Sequence, residues 1–242
     1  MSEKTESKRT PESWHALDAE RGIYEATYHV PGLSCRSVAA GLEGGGLVIY
    51  SPGGSLAADL PSELTTLGEP KVLLAPNSFH HLGIKRWREL YPETIAVAAS
   101  DAMSRLAKQG HADLQPLARL RERLPAHLDV FEVPGTRVGE TWLRFESAEG
   151  IGWVICDAFF NLPRLSHKLH LRLLSKLMSS GPGLAISSLM KWGGVNNRKL
   201  YKGWLLEQLE RDQPTILVPN HGDVLRGAEL PARLRELIER RL

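Results

Sequence analysis

The sequence contains no apolar run long enough to cross a bilayer, its hydrophobic stretches being far shorter than the roughly 20 residues a spanning helix requires. The first residues, Met1 to Glu12, are polar and lack the apolar core of a secretory signal. They read as the start of a flexible N-terminal tail over 1–21, and secretion by that route is not expected. Cysteine is scarce: Cys35 and Cys156 fall in separate predicted strands and make neither a metal-binding spacing nor a disulfide framework, which fits a reducing cytoplasm. A further absence is local, since no Asp or Glu stands between Asp157 and Glu207. Arg164, Lys168, Arg172, Lys176, Lys191, Arg198, Lys199 and Lys202 all fall in that interval, a local excess of eight positive charges. Such an excess points to an anionic ligand, surface or partner, the plainer alternative being a solvated helical face. A nucleic-acid partner is not expected, because the net charge is only +2 and aromatic residues are sparsely interleaved with basic ones.

What is present is ordinary for a globular chain: 242 residues, 42% hydrophobic and 24% charged, enough for one layered α/β domain over 22–242. Strands are predicted at Tyr24 to Val30, Arg36 to Leu42 and Leu47 to Tyr50, with Gly44-Gly45-Gly46 as a hairpin turn. That triple glycine precedes a strand and lacks the G-x-G-x-x-G order before a helix, so it is no dinucleotide fingerprint. A helix near Ala57 to Leu67 ends at Gly68. Then the strand Lys71 to Ala75, a helix from Ile84 to Tyr91 and the strand Thr94 to Ala98 set a parallel strand–helix–strand rhythm. Asp101 is expected to cap a helix through Lys108, and Leu117 to Leu124 to form a short helical or irregular segment. Asp129 to Val133, Thr141 to Ser147 and Trp153 to Cys156 have the β-branched and aromatic content of strands. A basic helical segment over 162–212 follows. In it Arg164 to Ser179 sets Leu165, Leu169, Leu173 and Leu177 opposite Lys168, Arg172 and Lys176, and Lys199 to Glu210 turns Leu200, Trp204, Leu205 and Leu209 inward. The first of these helices is expected to cover or flank the site as part of a lid. Thr215 to Val218 is the last clear strand, and Leu230, Leu234, Leu237 and Ile238 form the stripe of a terminal helix with Pro231 in its first turn.

Three strand ends carry chemistry. His80 and His81 follow the Lys71 strand, Asp157 ends the Trp153 strand, and His221 follows the Thr215 strand in Pro219-Asn220-His221-Gly222. Neutral imidazoles and carboxylates at strand-to-loop turns are metal-ligand types, placed where α/β proteins put their sites. A buried carboxylate at a strand end is costly unless paired, exposed at a rim or bound to metal, which makes Asp157 informative. His29, His111, His127, His167 and His170 read as surface or core-edge histidines.

The stretches Pro76-Asn77-Ser78-Phe79-His80-His81, Val133-Pro134-Gly135-Thr136, Val154-Ile155-Cys156-Asp157 and Val218-Pro219-Asn220-His221-Gly222 resemble, in order, the ligand-bearing stretches of the metallo-β-lactamase-fold superfamily. Tyr50-Ser51-Pro52-Gly53 and the Phe79-His80-His81 turn are similar to a divergent branch of it. The resemblance implies an α/β, four-layer αββα sandwich with metal ligands on loops at strand ends. Pro76, Ser78 and Thr136 stand where the family's first three histidines stand, so the resemblance does not extend to a dinuclear centre. What it implies is one divalent metal, zinc foremost with iron or manganese as alternatives, held by His80, His81, Asp157 and His221. The activity so implied is a metal-dependent hydrolase acting on an ester, thioester, amide or phosphoester, with Asp157 or His80 accepting a proton. The small-molecule substrate is expected to be anionic. The alternative is a degenerate, non-catalytic protein of this fold whose basic helix binds an anionic partner or touches a membrane surface.

Overall fold

The computed structural model describes residues 14–30, 33–59, 61–163, 182–186 and 190–242. The chain starts by building a seven-stranded sheet in sequential order: β1 (His15–Asp18), β2 (Ile23–Val30), β3 (Leu33–Gly41), β4 (Leu47–Tyr50), β5 (Pro70–Ala75), β6 (Ile95–Ala98) and β7 (Gln115–Pro116). β1 to β4 run as an antiparallel meander, whereas β4 to β7 pair in parallel through helical crossovers. The helices between them are α1 (Gly54–Asp59), α2 (Pro61–Leu67), α3 (Ile84–Leu90) and α4 (Ser100–Lys108). After α5 (Ala118–Arg121), a five-stranded sheet takes β8 (Leu128–Glu132), β9 (Thr141–Ser147), β10 (Gly150–Ile155), β13 (Ile216–Pro219) and β14 (Leu225–Arg226), in the order β14-β13-β10-β9-β8. β11 (Phe160–Leu162) and β12 (Gly183–Ala185) form a small ribbon beside it, followed by a π-helical turn at Met190–Gly194, then α6 (Arg198–Asp212) and, at the chain's end, α7 (Leu230–Arg241).

The layering follows from residues that alternate with the two-residue period of a strand. In β4, Val48 and Tyr50 enter the core between the two sheets while Leu47 and Ile49 face the helices α1 to α4; Val72 and Leu74 of β5 divide from Leu73 and Ala75 in the same way. On the second sheet Leu143, Phe145, Val154, Ile216 and Val218 meet that central core. Trp142, Trp153, Ile155 and Leu217 turn outward beneath Leu205 and Leu209 of α6 and Leu234 and Ile238 of α7. Strands apolar on both faces must be covered on both, and the result is an αββα sandwich.

Several boundaries differ from the sequence expectation. Part of the stretch expected as a tail is strand, since β1 pairs with β2. The helix expected over Ala57 to Leu67 is two helices, the second opened by Pro61, whose nitrogen carries no hydrogen to continue a helical ladder. Asp101 does not cap α4: the N-cap is Ala99, and Asp101 lies in the first turn, where its charge still suits the helix dipole. Leu200, expected inward, is 50% exposed, while Leu205 and Leu209 are buried. The basic helix expected over Arg164 to Ser179 lies outside the described residues. Within the remainder of the expected basic helical segment, 183–185 is strand.

Candidate metal centre

Parallel pairing brings the chemistry-bearing loops to one edge. β4 and β5 are parallel neighbours, so the turns after them, Ser51 to Gly53 and Pro76 to Gly83, emerge side by side; β10 and β13 do the same for Asp157 and His221. The facing sheets are then tied together across this edge. Thr141 N–H donates to the Pro76 carbonyl at 2.7 Å and Ser78 N–H to that of Val138 at 2.9 Å.

Asn77 is the hub of the first loop. Its Oδ1 accepts from the backbone N–H of Phe79 (2.8 Å) and His80 (3.2 Å), bending the chain so that His80 enters the site. Its Nδ2 donates to Asp157 Oδ2 at 2.7 Å and to Glu140 Oε2 at 3.2 Å. Glu140, fully buried, accepts on Oε1 from the successive backbone N–H groups of Cys156, Asp157 and Ala158 at 2.9–3.1 Å, and from the Trp142 indole at 3.3 Å. Burial and the nearby Asp157 carboxylate push the Glu140 carboxyl up to about 8, against the pull of these donors.

Asp157 thus arrives in a fixed position. Its Oδ1 lies 3.1 Å from His221 Nε2 and its Oδ2 3.5 Å from His80 Nε2, and the two imidazole centroids are 5.2 Å apart. Burial alone would raise the Asp157 pKa; His80 and His221 outweigh it and hold the carboxyl well below its usual range. Burial would likewise lower that of His221, but its bonds with Asp157 and Cys35 carry it to about 10. His221 Nδ1 faces the Ser34 carbonyl oxygen at 3.1 Å, which fixes that nitrogen as a donor and leaves Nε2 as the ligand atom. His221 is held by a close crossing: Gly222, at φ +96°, lies so near β11 that a Cβ there would stand 1.9 Å from the Asn161 carbonyl oxygen. Around His80 Nδ1 stand the Asn220 amide (2.9 Å), the Ser51 hydroxyl (3.4 Å) and the Tyr28 hydroxyl (3.5 Å). Asn220 in turn accepts from the Arg36 N–H, and the Arg36 guanidinium bonds Glu25 and the Pro219 carbonyl.

Of the four expected ligands, the structure brings together His80, Asp157 and His221 and leaves His81 out. The adjacent positions His80 and His81 diverge: His81 Nδ1 meets His111 Nε2 at 2.9 Å, their rings edge to face at 4.9 Å. Burial, then His111 and His80, lower the His81 pKa, and the ring pairs with His111 and not with Asp157. Cys35 takes part instead, grouping with His80 and His221 so that their ligand atoms lie within 4.8 Å of one another; Cys156 groups likewise with His80 and Asp157. Sequence reading missed Cys35, Asn77, Glu140 and Asn220. Asn77 and Asn220 flank the histidines and were available as a signal, whereas neither spacing nor periodicity marks Glu140.

The donor set fits a divalent ion. His221 Nε2 and His80 Nε2 each lie against a different oxygen of the Asp157 carboxylate, at 3.1 and 3.5 Å, and imidazole, thiol and carboxylate are the donor types such an ion takes. His80 would need its Nδ1–H turned onto Ser51 or Tyr28, both of which can accept. The site floors a cleft of about 570 Å³ lined also by Tyr28, Cys35, Phe79, Leu82, Phe160 and Met190.

No protein-family model matches the sequence, and no curated protein matches it. Solved structures do match. The DIM-1 metallo-beta-lactamase is 12% identical at a TM-score of 0.60, the alignment covering 95% of this chain and 99% of the other. FIM-1 from Pseudomonas aeruginosa, in its mono-zinc form, is 15% identical at 0.58, covering 96% and 97%. A mutant flavo di-iron protein from Thermotoga maritima is 13% identical at 0.54, covering 95% of this chain and 61% of its own. With two facing sheets, helices on both outer faces and a His/Asp cluster at the strand ends, this chain has the metallo-β-lactamase fold.

Proposed function

We propose that the protein is a metal-dependent hydrolase with one divalent ion, acting on an ester, thioester, amide or phosphoester. The observation that carries this reading is the convergence of His80, Asp157 and His221 on the floor of an open cleft. Cys35 groups with the two imidazoles, and an imidazole, carboxylate and thiol set favours zinc over manganese, with iron between them. When bound, a divalent ion supplies Lewis acidity, polarising a substrate oxygen and acidifying water. The chain's own residues do the rest. Asp157 offers a carboxylate oxygen as proton acceptor, aimed by Asn77 and by the Glu140 clamp on its backbone N–H. His80 is the second candidate acceptor only where the ion is held without it, because an imidazole ligating through Nε2 and carrying a hydrogen on Nδ1 has no lone pair left. His221 keeps its Nδ1–H on the Ser34 carbonyl oxygen, and its Nε2, whose proton is held by Asp157, would have to release that proton to take an ion.

Elemental analysis of protein purified without chelators tests the reading. About one equivalent of metal is expected in the wild type and in His81→Ala, and a loss of it in His80→Ala and His221→Ala. Equal metal content in all four proteins would sink the ligand assignment. Screening esters, thioesters, phosphodiesters and a β-lactam with added Zn²⁺, Fe²⁺ and Mn²⁺ then identifies the bond cleaved.

A second reading, a non-catalytic binding protein of the same fold, draws on the fact that each of these side chains already has a protein partner: His221 and His80 on Asp157, Asn220 on His80, Ser34 on His221. Its anionic partner or membrane surface would be met by the basic segment. On that reading, chelator-free protein carries no stoichiometric metal.

A further inference from the structure

The cleft above the His80–Asp157–His221 floor has a wall chemistry that neither the ligand set nor the basic segment explains. Val30, Leu33, Phe79, Leu82, Phe160 and Met190 line it, and no Lys or Arg does so among the described residues. The apolar strip begins at the floor, where the Phe160 ring meets His221 edge to face at 5.0 Å. It runs outward to side chains that protrude into solvent: Leu33 is 41% exposed, Phe79 53% and Leu82 76%. Phe79 and Leu82 belong to the same turn as His80, so the loop that delivers a polar group to the floor also delivers the apolar rim.

Large apolar side chains left in water around a concave site mark a surface that is covered when the site works. Water in this cleft finds few hydrogen-bond partners along such walls, so its displacement by methylene groups is favourable. A charged group held against them would lose hydration with no counter-charge to replace it. The 570 Å³ volume is that of a site for a small organic molecule and not for a water or two.

We propose that the site takes an acyl compound, its aliphatic chain lying along Phe160, Phe79, Leu33 and Leu82 and its carbonyl directed to the His80–Asp157–His221 floor. The carbonyl's fate rests on the hydrolase reading; the seating of the chain does not. The anionic substrate expected from the basic segment would then owe its charge to a group outside this cleft.

Calorimetric titration with straight-chain carboxylates from acetate to decanoate, on metal-loaded and on chelator-treated protein, tests the seating. Each added methylene is expected to tighten binding by about three- to fourfold until the chain outgrows the strip. Leu33→Asp and Leu82→Asp, at exposed positions that leave the packed core intact, are expected to cut that gain toward unity per methylene. Affinity that stays flat with chain length in both preparations overturns the proposal, as does an undiminished gain in both variants. Turnover of the same chains as p-nitrophenyl esters and as coenzyme A thioesters separates a neutral acyl ester from a nucleotide-borne one. A chain-length gain without hydrolysis of either upholds the acyl site and rejects the ester and thioester forms of the hydrolase reading. Metal-dependent hydrolysis that ignores chain length does the reverse.

Discussion

Glu140 has no exposed surface, yet its two oxygens accept from Cys156, Asp157 and Ala158 N–H, from the Trp142 indole and from the Asn77 amide. Three successive amides converging on one oxygen hold the loop after β10 in a single shape, and Asn77 carries that constraint across to the loop after β5. Replacing Glu140 by Ala strands these donors in the interior, where each unsatisfied group costs about 1–3 kcal/mol. A net loss of roughly 3–5 kcal/mol is expected for Glu140→Ala by urea denaturation, because water or loop movement recovers part of the sum. Glu140→Gln keeps one acceptor oxygen for the backbone amides but points an N–H₂ at Asn77, so a smaller loss is expected. If Glu140→Ala proves as stable as the wild type, the clamp has no structural role.

At the scale of elements, α6 is docked by its last residue as much as by its apolar face. Asp212 accepts from the Trp153 indole at 2.8 Å, from Arg144 Nε at 3.1 Å and from Arg211 Nε at 2.8 Å, joining the helix to β10 and β9. Burial would raise its pKa, but the Arg211 and Trp153 bonds and the two guanidinium charges depress it. A carboxyl whose folded pKa lies below its unfolded value, ~3.9, contributes stability that is present above that value and is lost as pH falls through the folded one. The wild type is therefore expected to lose stability on acidification below about pH 4. Asp212→Asn should be less stable at neutral pH, by about 1–3 kcal/mol, with a flatter acid limb. Denaturant midpoints of both proteins between about pH 2.5 and 7 check this, and parallel curves would show that Asp212 titrates alike in both states.

At the scale of the whole molecule, the candidate site sits on the seam of the sandwich. His80 comes from a loop of the seven-stranded sheet, Asp157 and His221 from loops of the five-stranded one. An ion binding all three joins the two sheets and favours the folded state by mass action, by about 2.7 kcal/mol at one hundred times its dissociation constant. For a chain of 242 residues this corresponds to a rise in Tm of about 5–10 °C. Because the sheets share one central core, the expected rise is in a single transition, and chelation should reverse it. Calorimetry with and without Zn²⁺ reads both, and a Tm indifferent to metal would argue for the binding-protein reading.

Residues 47 to 50, 72 to 75 and 141 to 147 could be placed from sequence because a strand's neighbours above and below differ by one residue, and apolarity on both sides demands two covering layers. The strand-end positions of His80, Asp157 and His221 were legible for the same reason: a strand read from its apolar residues fixes where its following loop begins. β7, β11, β12 and β14 were not legible, since strands of two or three residues carry too little periodicity to stand out, and β1, His15–Asp18, has only two apolar residues to mark it. Sequence also could not separate His80 from His81. Adjacent side chains in a turn point where its dihedral angles send them, and the Asn77 bonds to the Phe79 and His80 N–H groups help set those angles. Tertiary packing alone brought Cys35 from β3 beside His221, 186 positions later in the chain, and seated Glu140 beneath Asp157. Local pattern determines which residues face a core, whereas distances between residues far apart in sequence are set only when the two sheets close on each other.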